Sequence, residues 1–130
     1  MVRVMKLEDR VCSFEQSNEI AAHVKLNTLW SWVVLDGDDP DSARLILTDK
    51  SHLEDDECII IPAPTVAELG ILLGKYTVMK YKNDECWRLY NDNGVLSKWI
   101  SNAENEAQAR AEALICLIDQ ELITPKDLKL

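Results

Sequence analysis

Residues 101–123, SNAENEAQARAEALICLIDQELI, leave little choice but a helix with a buried side. Ala107, Ala111, Leu114, Ile115, Ile118 and Leu122 recur at steps of three and four, which lays them along one stripe of an α-helix. Asn105, Glu106, Gln108, Glu112 and Asp119 fall largely on the opposite side, where water is expected. Ser101 and Glu104 fit an S-x-x-E capping box, in which each side chain satisfies an orphan N–H of the first turn. Thr124-Pro125 marks the expected stop, because a proline ring disfavours helical geometry in the residue before it. Small residues come first and large aliphatic ones later, so the start of this helix can approach a neighbour more closely than its end. The stripe must be covered by the rest of the chain, which makes this helix the expected main packing element.

Two more helices announce themselves by their caps. Ser13 with Gln16 opens one, whose apolar positions are Phe14, Ile20, Ala21 and Val24, and which is expected to end near residues 23–26. Thr65 with Glu68 opens another before Val66, Leu69, Leu72 and Leu73, with Gly74 placed to end it. Pro62-Ala63-Pro64 is expected to break the strand ahead of that helix. Residues 29–35, LWSWVVL, are aromatic and β-branched and read as a strand. Residues 44–48 and 57–61 are short apolar runs that fit two further strands. From Tyr76 the texture becomes a meander: residues 76–81, 85–90 and 95–100 are strand-like, separated by Lys82-Asn83-Asp84 and by Asn91-Asp92-Asn93-Gly94. Trp87 and Leu89 share one face there and Cys86 and Tyr90 the other, an imperfect alternation that helices on both sides of a sheet would explain. The expected fold is α+β: a largely antiparallel sheet with a three-stranded C-terminal meander, packed by about three helices. Residues 1–130 are expected to form one domain, with 1–10 and 124–130 as peripheral tails.

The order Ser13-Phe14-Glu15-Gln16-Ser17, Leu29-Trp30-Ser31-Trp32, Ala63-Pro64-Thr65-Val66-Ala67-Glu68-Leu69-Gly70, then Glu106-Ala107-Gln108-Ala109-Arg110-Ala111, resembles a group of small uncharacterised phage and prophage-encoded proteins of bacteria. The resemblance spans roughly residues 11–123, and the T-V-A-E-L-G and E-A-x-A-R-A segments carry most of it. In arrangement the chain also looks like the phage domain described as an α/β/α sandwich. The resemblance implies a phage or prophage origin and a cytoplasmic setting. It carries over no catalytic residue.

Charge is uneven along the chain. Fourteen Lys and Arg stand against 23 Asp and Glu, a net −9. Residues 36–57 hold nine acids against Arg44 and Lys50, a local −7, and residues 101–123 hold five against Arg110, a local −4. An acidic surface repels phosphate backbones, so direct nucleic-acid binding is not expected. It suits a basic protein partner, and Asp36, Asp38, Asp39, Asp55, Asp56 and Glu57 are the expected partner-facing residues. The N-terminal MVRVMKLEDRV lacks a signal peptide's apolar centre, so a cytoplasmic setting with reduced Cys12, Cys58, Cys86 and Cys116 is expected. No apolar run approaches the roughly 18 residues that span a bilayer.

The residues that carry chemistry elsewhere do not form known patterns here. Counted from Asp36, an EF-hand needs glycine where Asp41 stands and glutamate where Leu47 stands, and Pro40 occupies a ligand position. There is no C-x-x-C or H-x-x-x-H for zinc, no glycine-rich phosphate loop and no nucleophile elbow. No cofactor or metal is expected. His52 beside residues 54–57 reads as part of an acidic loop, and Arg110 as a cover for apolar surface or a partner of Glu106 or Glu112. Trp30, Trp32, Trp87 and Trp99 are expected to be mostly core, with one or two left as anchors for a partner. The favoured function is a non-enzymatic protein–protein interaction module. The alternative is a nucleic-acid module, or an acidic mimic of nucleic acid that binds a DNA-handling protein. An enzyme with a dispersed site comes third.

Overall fold

The computed structural model describes residues 10–34, 42–48, 59–80, 86–100 and 103–130. In chain order the elements are α1 (Phe14–Ala21), β1 (Trp30–Val34), β2 (Ala43–Leu47), β3 (Ile59–Ala63), α2 (Val66–Leu73), β4 (Thr77–Met79), β5 (Trp87–Tyr90), β6 (Leu96–Ile100) and α3 (Glu106–Asp119). The fold is α+β. Its strands form two three-stranded sheets, ordered β2-β1-β3 and β4-β5-β6, and every pairing is antiparallel. The second sheet is the C-terminal meander.

Local chemistry sets the two short helices as expected. Ser13 and Gln16 form a complete capping box on α1, and Thr65 and Glu68 another on α2. Gly74 ends α2 with φ 60°, a conformation that costs glycine nothing. Helix α1 stops at Ala21, slightly ahead of the expected end. Pro62 does not break its strand: it lies inside β3, opposite Ser31. In the order β2-β1-β3 that strand pairs with β1 alone, and an edge strand can spare the N–H that proline lacks.

The last helix differs from its expected form in three ways. Its N-cap is Asn105, whose side chain accepts from the Gln108 N–H at 2.9 Å, while Gln108 Oε1 accepts from the Glu104 N–H at 3.1 Å. The segment therefore carries two overlapping cap patterns, and the helix starts at the second; Ser101 lies outside the described residues. Its end precedes Thr124-Pro125. The Leu122 N–H bonds Leu117 C=O and the Glu121 N–H bonds Ile118 C=O, with Glu121 at φ 60°. That is a Schellman motif with glutamate in the position glycine usually fills. Leu122 therefore leaves the helical stripe and is 55% exposed. Finally, α3 is buried on more than one side: Ala107, Ala109, Ala111, Ala113, Leu114, Ile115, Cys116, Leu117 and Ile118 are all buried.

The burial of α3 follows from its place at the centre of the larger core, among Ile20, Leu26, Leu69, Leu72, Leu73, Val78, Leu89 and Ile100. Leu128 joins this core after a 3₁₀ turn at Pro125–Asp127, so the C-terminal residues expected to be a peripheral tail dock at that point. A second core of Val11, Trp32, Ile61 and Ala63 lies on the first sheet, with Phe14 edge-on to Trp32 at 6.4 Å between ring centroids. Val11 bridges to Thr65 as isolated β pairing, and the neighbours Val11 and Cys12 enter different cores, as alternate residues of extended chain do.

The small residues of α3 let α2 pack closely against it. Arg110 spans this seam: Nη1 donates to Val66 C=O at 2.7 Å and Nη2 to Glu106 Oε1 at 2.8 Å. Gly70 leaves the room for it, since a Cβ there would stand 2.5 Å from Arg110 Nη1.

Candidate functional site

The register of the second sheet separates its two faces. Leu89 pairs with Val78 on one side and Lys98 on the other, and Trp87 pairs with Ile100. Val78, Leu89 and Ile100 are buried in the core around α3, and Trp87 packs against it, so this is the inner face. The other face carries the row Met79–Arg88–Trp99 and the row Thr77–Tyr90–Leu96. Strict alternation would put Leu96 on the same side as Lys98. A bulge between the pairs Leu89–Lys98 and Tyr90–Leu96 gives β6 one extra residue and brings Leu96 to the side of Trp99.

This outer face is unusually apolar for one turned to water. Trp99 is 51% exposed, Met79 44% and Leu96 39%, with Val95 beside them. The imperfect alternation of this meander thus has a different origin from the one expected, which was helices on both sides. Arg88 lies across the Trp99 ring, its Cζ 4.5 Å from the centroid, so the guanidinium covers one part of the indole and holds it in place. Lys80 takes the equivalent place over Trp87, at 5.6 Å. Lys75 pairs with Asp92 at 3.9 Å. Residues 75–100 hold five basic residues against three acidic ones, a local +2 in a chain of −9.

The four tryptophans are therefore divided. Trp32 is buried and donates from Nε1 to Cys12 C=O at 3.3 Å. Trp30 and Trp87 are half-buried, and Trp99 is the exposed one. Among the described residues, two concave features lie elsewhere. An open cleft of about 500 Å³ runs between Arg10, Leu29, Trp30 and the first turn of α2. A polar groove of about 380 Å³ between α1 and α3 gathers Glu15, Glu19, Glu104 and Glu112. Its floor is structural: the Gln16 amide donates to Gln108 C=O at 2.9 Å and to Glu112 Oε2 at 3.4 Å, tying the two helices together.

Of the residues with chemical potential, Cys12 is the most perturbed. Burial pushes its thiol up from 9.0 to about 11, against the opposing pull of its 3.0 Å hydrogen bond with Ser17. A thiol held neutral in this way is a poor nucleophile. Cys116 is buried and accepts from Lys98 Nζ and Gln120 Nε2, each at 3.4 Å. Cys12, Cys86 and Cys116 are free thiols, and Cys58 lies outside the described residues. Arg110 pairs with Glu106, one of its two expected partners, and Glu112 bonds Gln16 instead. His23 lies 3.8 Å from Asp119 at the surface. The acidic residues expected to face a partner (Asp36, Asp38, Asp39, Asp55, Asp56 and Glu57) and His52 all lie outside the described residues. Among the described residues, no three His, Cys, Asp or Glu side chains are grouped to hold a metal ion, and no helix is long and apolar enough to cross a membrane. No family model, curated protein or solved structure matches the chain.

Proposed function

We propose that this chain is a non-enzymatic interaction module, an accessory protein of the phage or prophage kind its sequence resembles, and that it binds a protein partner through the outer face of β4-β5-β6. The observation that carries the reading is Trp99: an indole half open to water, oriented by Arg88 and flanked by exposed Met79 and Leu96. A monomeric surface gains nothing from an apolar row of this kind, whereas an interface draws much of its energy from a few oriented aromatic and arginine side chains.

The test places a photo-crosslinking amino acid at position 99 and, as a control, at position 71. Ile71 is a comparably exposed apolar residue, 66% open, on α2. In bacterial lysate the reading expects a discrete protein adduct from position 99 that is absent from position 71. The partner identified from it should be lost from capture by Trp99→Thr, a change that exchanges the indole for a small residue that also favours strands. Equal crosslinking from both positions, or capture indifferent to Trp99→Thr, refutes the reading.

A further inference from the structure

We propose that Lys98 and Cys116 form a redox switch reversible by thiols. Peroxide oxidises the Cys116 sulfur, and the Lys98 nitrogen then condenses with it, tying β6 to α3 by a covalent S–N bond. The switch stands apart from the interaction reading above and needs no partner. It begins with the contacts of one sulfur atom. Lys98 Nζ and Gln120 Nε2 both donate to Cys116 Sγ, each at 3.4 Å. A cation and an amide donor converging on sulfur are contacts suited to a thiolate, the form of cysteine that reacts with peroxide.

The fold builds this cluster from a strand, a helix and its cap. Lys98 lies in β6 opposite Leu89, so its side chain starts on the face that covers α3. Cys116 sits in the last turn of α3, 9% exposed, and Gln120 is the C-cap one turn on. Lys98 itself is exposed, so the sulfur lies at the margin of the core beneath a side chain that opens to water. Cys12 gives the contrast. It is fully buried, shares a hydrogen bond with the Ser17 hydroxyl, and has its thiol pushed up to about 11 by burial. It has neither the thiolate for the first step nor, in Ser17, a nitrogen for the second.

In the first step the Cys116 thiolate attacks one oxygen of hydrogen peroxide. The O–O bond breaks, hydroxide leaves and is protonated to water, and a sulfenic acid remains. In the second step Lys98, having given a proton to solvent, attacks the sulfur. The S–N bond forms, the S–O bond breaks, and the departing hydroxide takes an amine proton to become water. Sulfur has lost two electrons to peroxide, and the product is a sulfenamide, the linkage that sulfenic acid also forms with a backbone nitrogen. A dithiol returns those electrons: one thiolate attacks sulfur, the amine leaves, and the second thiol releases Cys116. Trp99 follows Lys98 in the strand and lies on the opposite face, so oxidation fixes to the central helix the sheet that presents the indole.

The experiment treats the purified full chain with dilute hydrogen peroxide in mildly alkaline buffer, where more lysine is the neutral amine. Free thiols are alkylated, the chain is digested without reductant, and the peptides are mapped by mass spectrometry. Lys98→Arg is run in parallel, with dimedone added in one arm of each to trap sulfenic acid. The expected result is a linked peptide pair joining Lys98 to Cys116, two hydrogens lighter than its parts, that dithiothreitol abolishes. In Lys98→Arg, which keeps the cation and loses the amine, the link should be absent and dimedone should trap severalfold more Cys116. The melting temperature should rise in oxidised wild type, fall back with dithiothreitol, and not rise in Lys98→Arg. Cys116 sulfenic acid trapped equally in both proteins, Cys116 in a disulfide with another cysteine, or Cys116 left unoxidised overturns the proposal. If Lys98→Arg does not fold, the peptide map of the wild type decides by the presence or absence of the link.

Discussion

Gly70→Ala is expected to destabilise this protein and, in the absence of Arg110, to stabilise it. The residue lies inside α2, where alanine outranks glycine by about 0.8–1 kcal/mol. Propensity alone therefore favours the change. Packing opposes it. A Cβ at position 70 stands 2.5 Å from Arg110 Nη1, and an ordinary contact begins at 3.4 Å, so Nη1 must withdraw by about 0.9 Å. That breaks its 2.7 Å hydrogen bond to Val66 C=O and strains the 2.8 Å bond from Nη2 to Glu106. A charge-assisted hydrogen bond contributes about 1.5–3 kcal/mol. The lower end applies, because the Arg110 side chain is 24% exposed and Glu106 43%, and exposed i,i+4 pairs add only a few tenths. About 1.5–2 kcal/mol lost against about 0.8–1 gained leaves a net destabilisation of roughly 0.5–1 kcal/mol. In an Arg110→Ala background the obstructing atoms are gone, and Gly70→Ala should raise stability by the full propensity difference. Urea denaturation of the four proteins, analysed as a double-mutant cycle, reads the sign in each background. Stabilisation by the same amount in both would show that the guanidinium does not lie over Gly70.

Three further outcomes follow from the core and the helix ends. Leu114→Ala removes a fully buried side chain from the centre of α3 and should cost about 2–5 kcal/mol by urea denaturation; a loss below about 1 kcal/mol would mean the site collapses or the helix is not central. Glu121→Gly relieves a left-handed backbone at the Schellman position and should raise stability by about 0.5–1 kcal/mol in the same assay, with no gain if Glu121 is not in that conformation. Because the Cys12 thiol titrates near 11 in the folded state and near 9.0 in the unfolded state, the unfolded chain releases its proton first, so stability should fall between pH 9 and 11 with a slope approaching about 1.4 kcal/mol per unit. Cys12→Ala should remove that part of the slope, and an unchanged pH profile in the variant would count against the burial of the thiol.

Much of the fold was legible because its signals are local. The Ser13–Gln16 and Thr65–Glu68 capping boxes each join residues three apart, and both helices begin where those pairs place them. Where two local signals overlap, tertiary structure chooses. Residues 101–108 offer Ser101 with Glu104 and Asn105 with Gln108, and α3 takes Asn105 as its N-cap and starts at Glu106. At the other end no glycine advertises the stop, because Glu121 takes the left-handed conformation itself and Leu122 leaves the stripe that periodicity assigned it. Pro62 looks like a breaker in the sequence because sequence does not say which strand will be an edge.

The candidate surface was harder to see, for a reason that lies in strand pairing. Read along the chain, residues 95–100 alternate so that Leu96, Lys98 and Ile100 share a side, which makes Trp99 just one more aromatic in a strand. Only the bulge in β6 moves Leu96 across to join Trp99, and only pairing with β5 sets Arg88 against the indole, eleven residues away in sequence. Charge pointed elsewhere for a similar reason. The acids of residues 36–57 are contiguous and conspicuous, whereas the cations of the meander are diluted by Asp84, Glu85 and Asp92, and the sheet divides them, with Arg88 on the outer face and Lys98 on the inner one. A contiguous block of like charge is visible without a fold. An apolar face assembled from three strands, with Arg88 set against its exposed indole, requires the register.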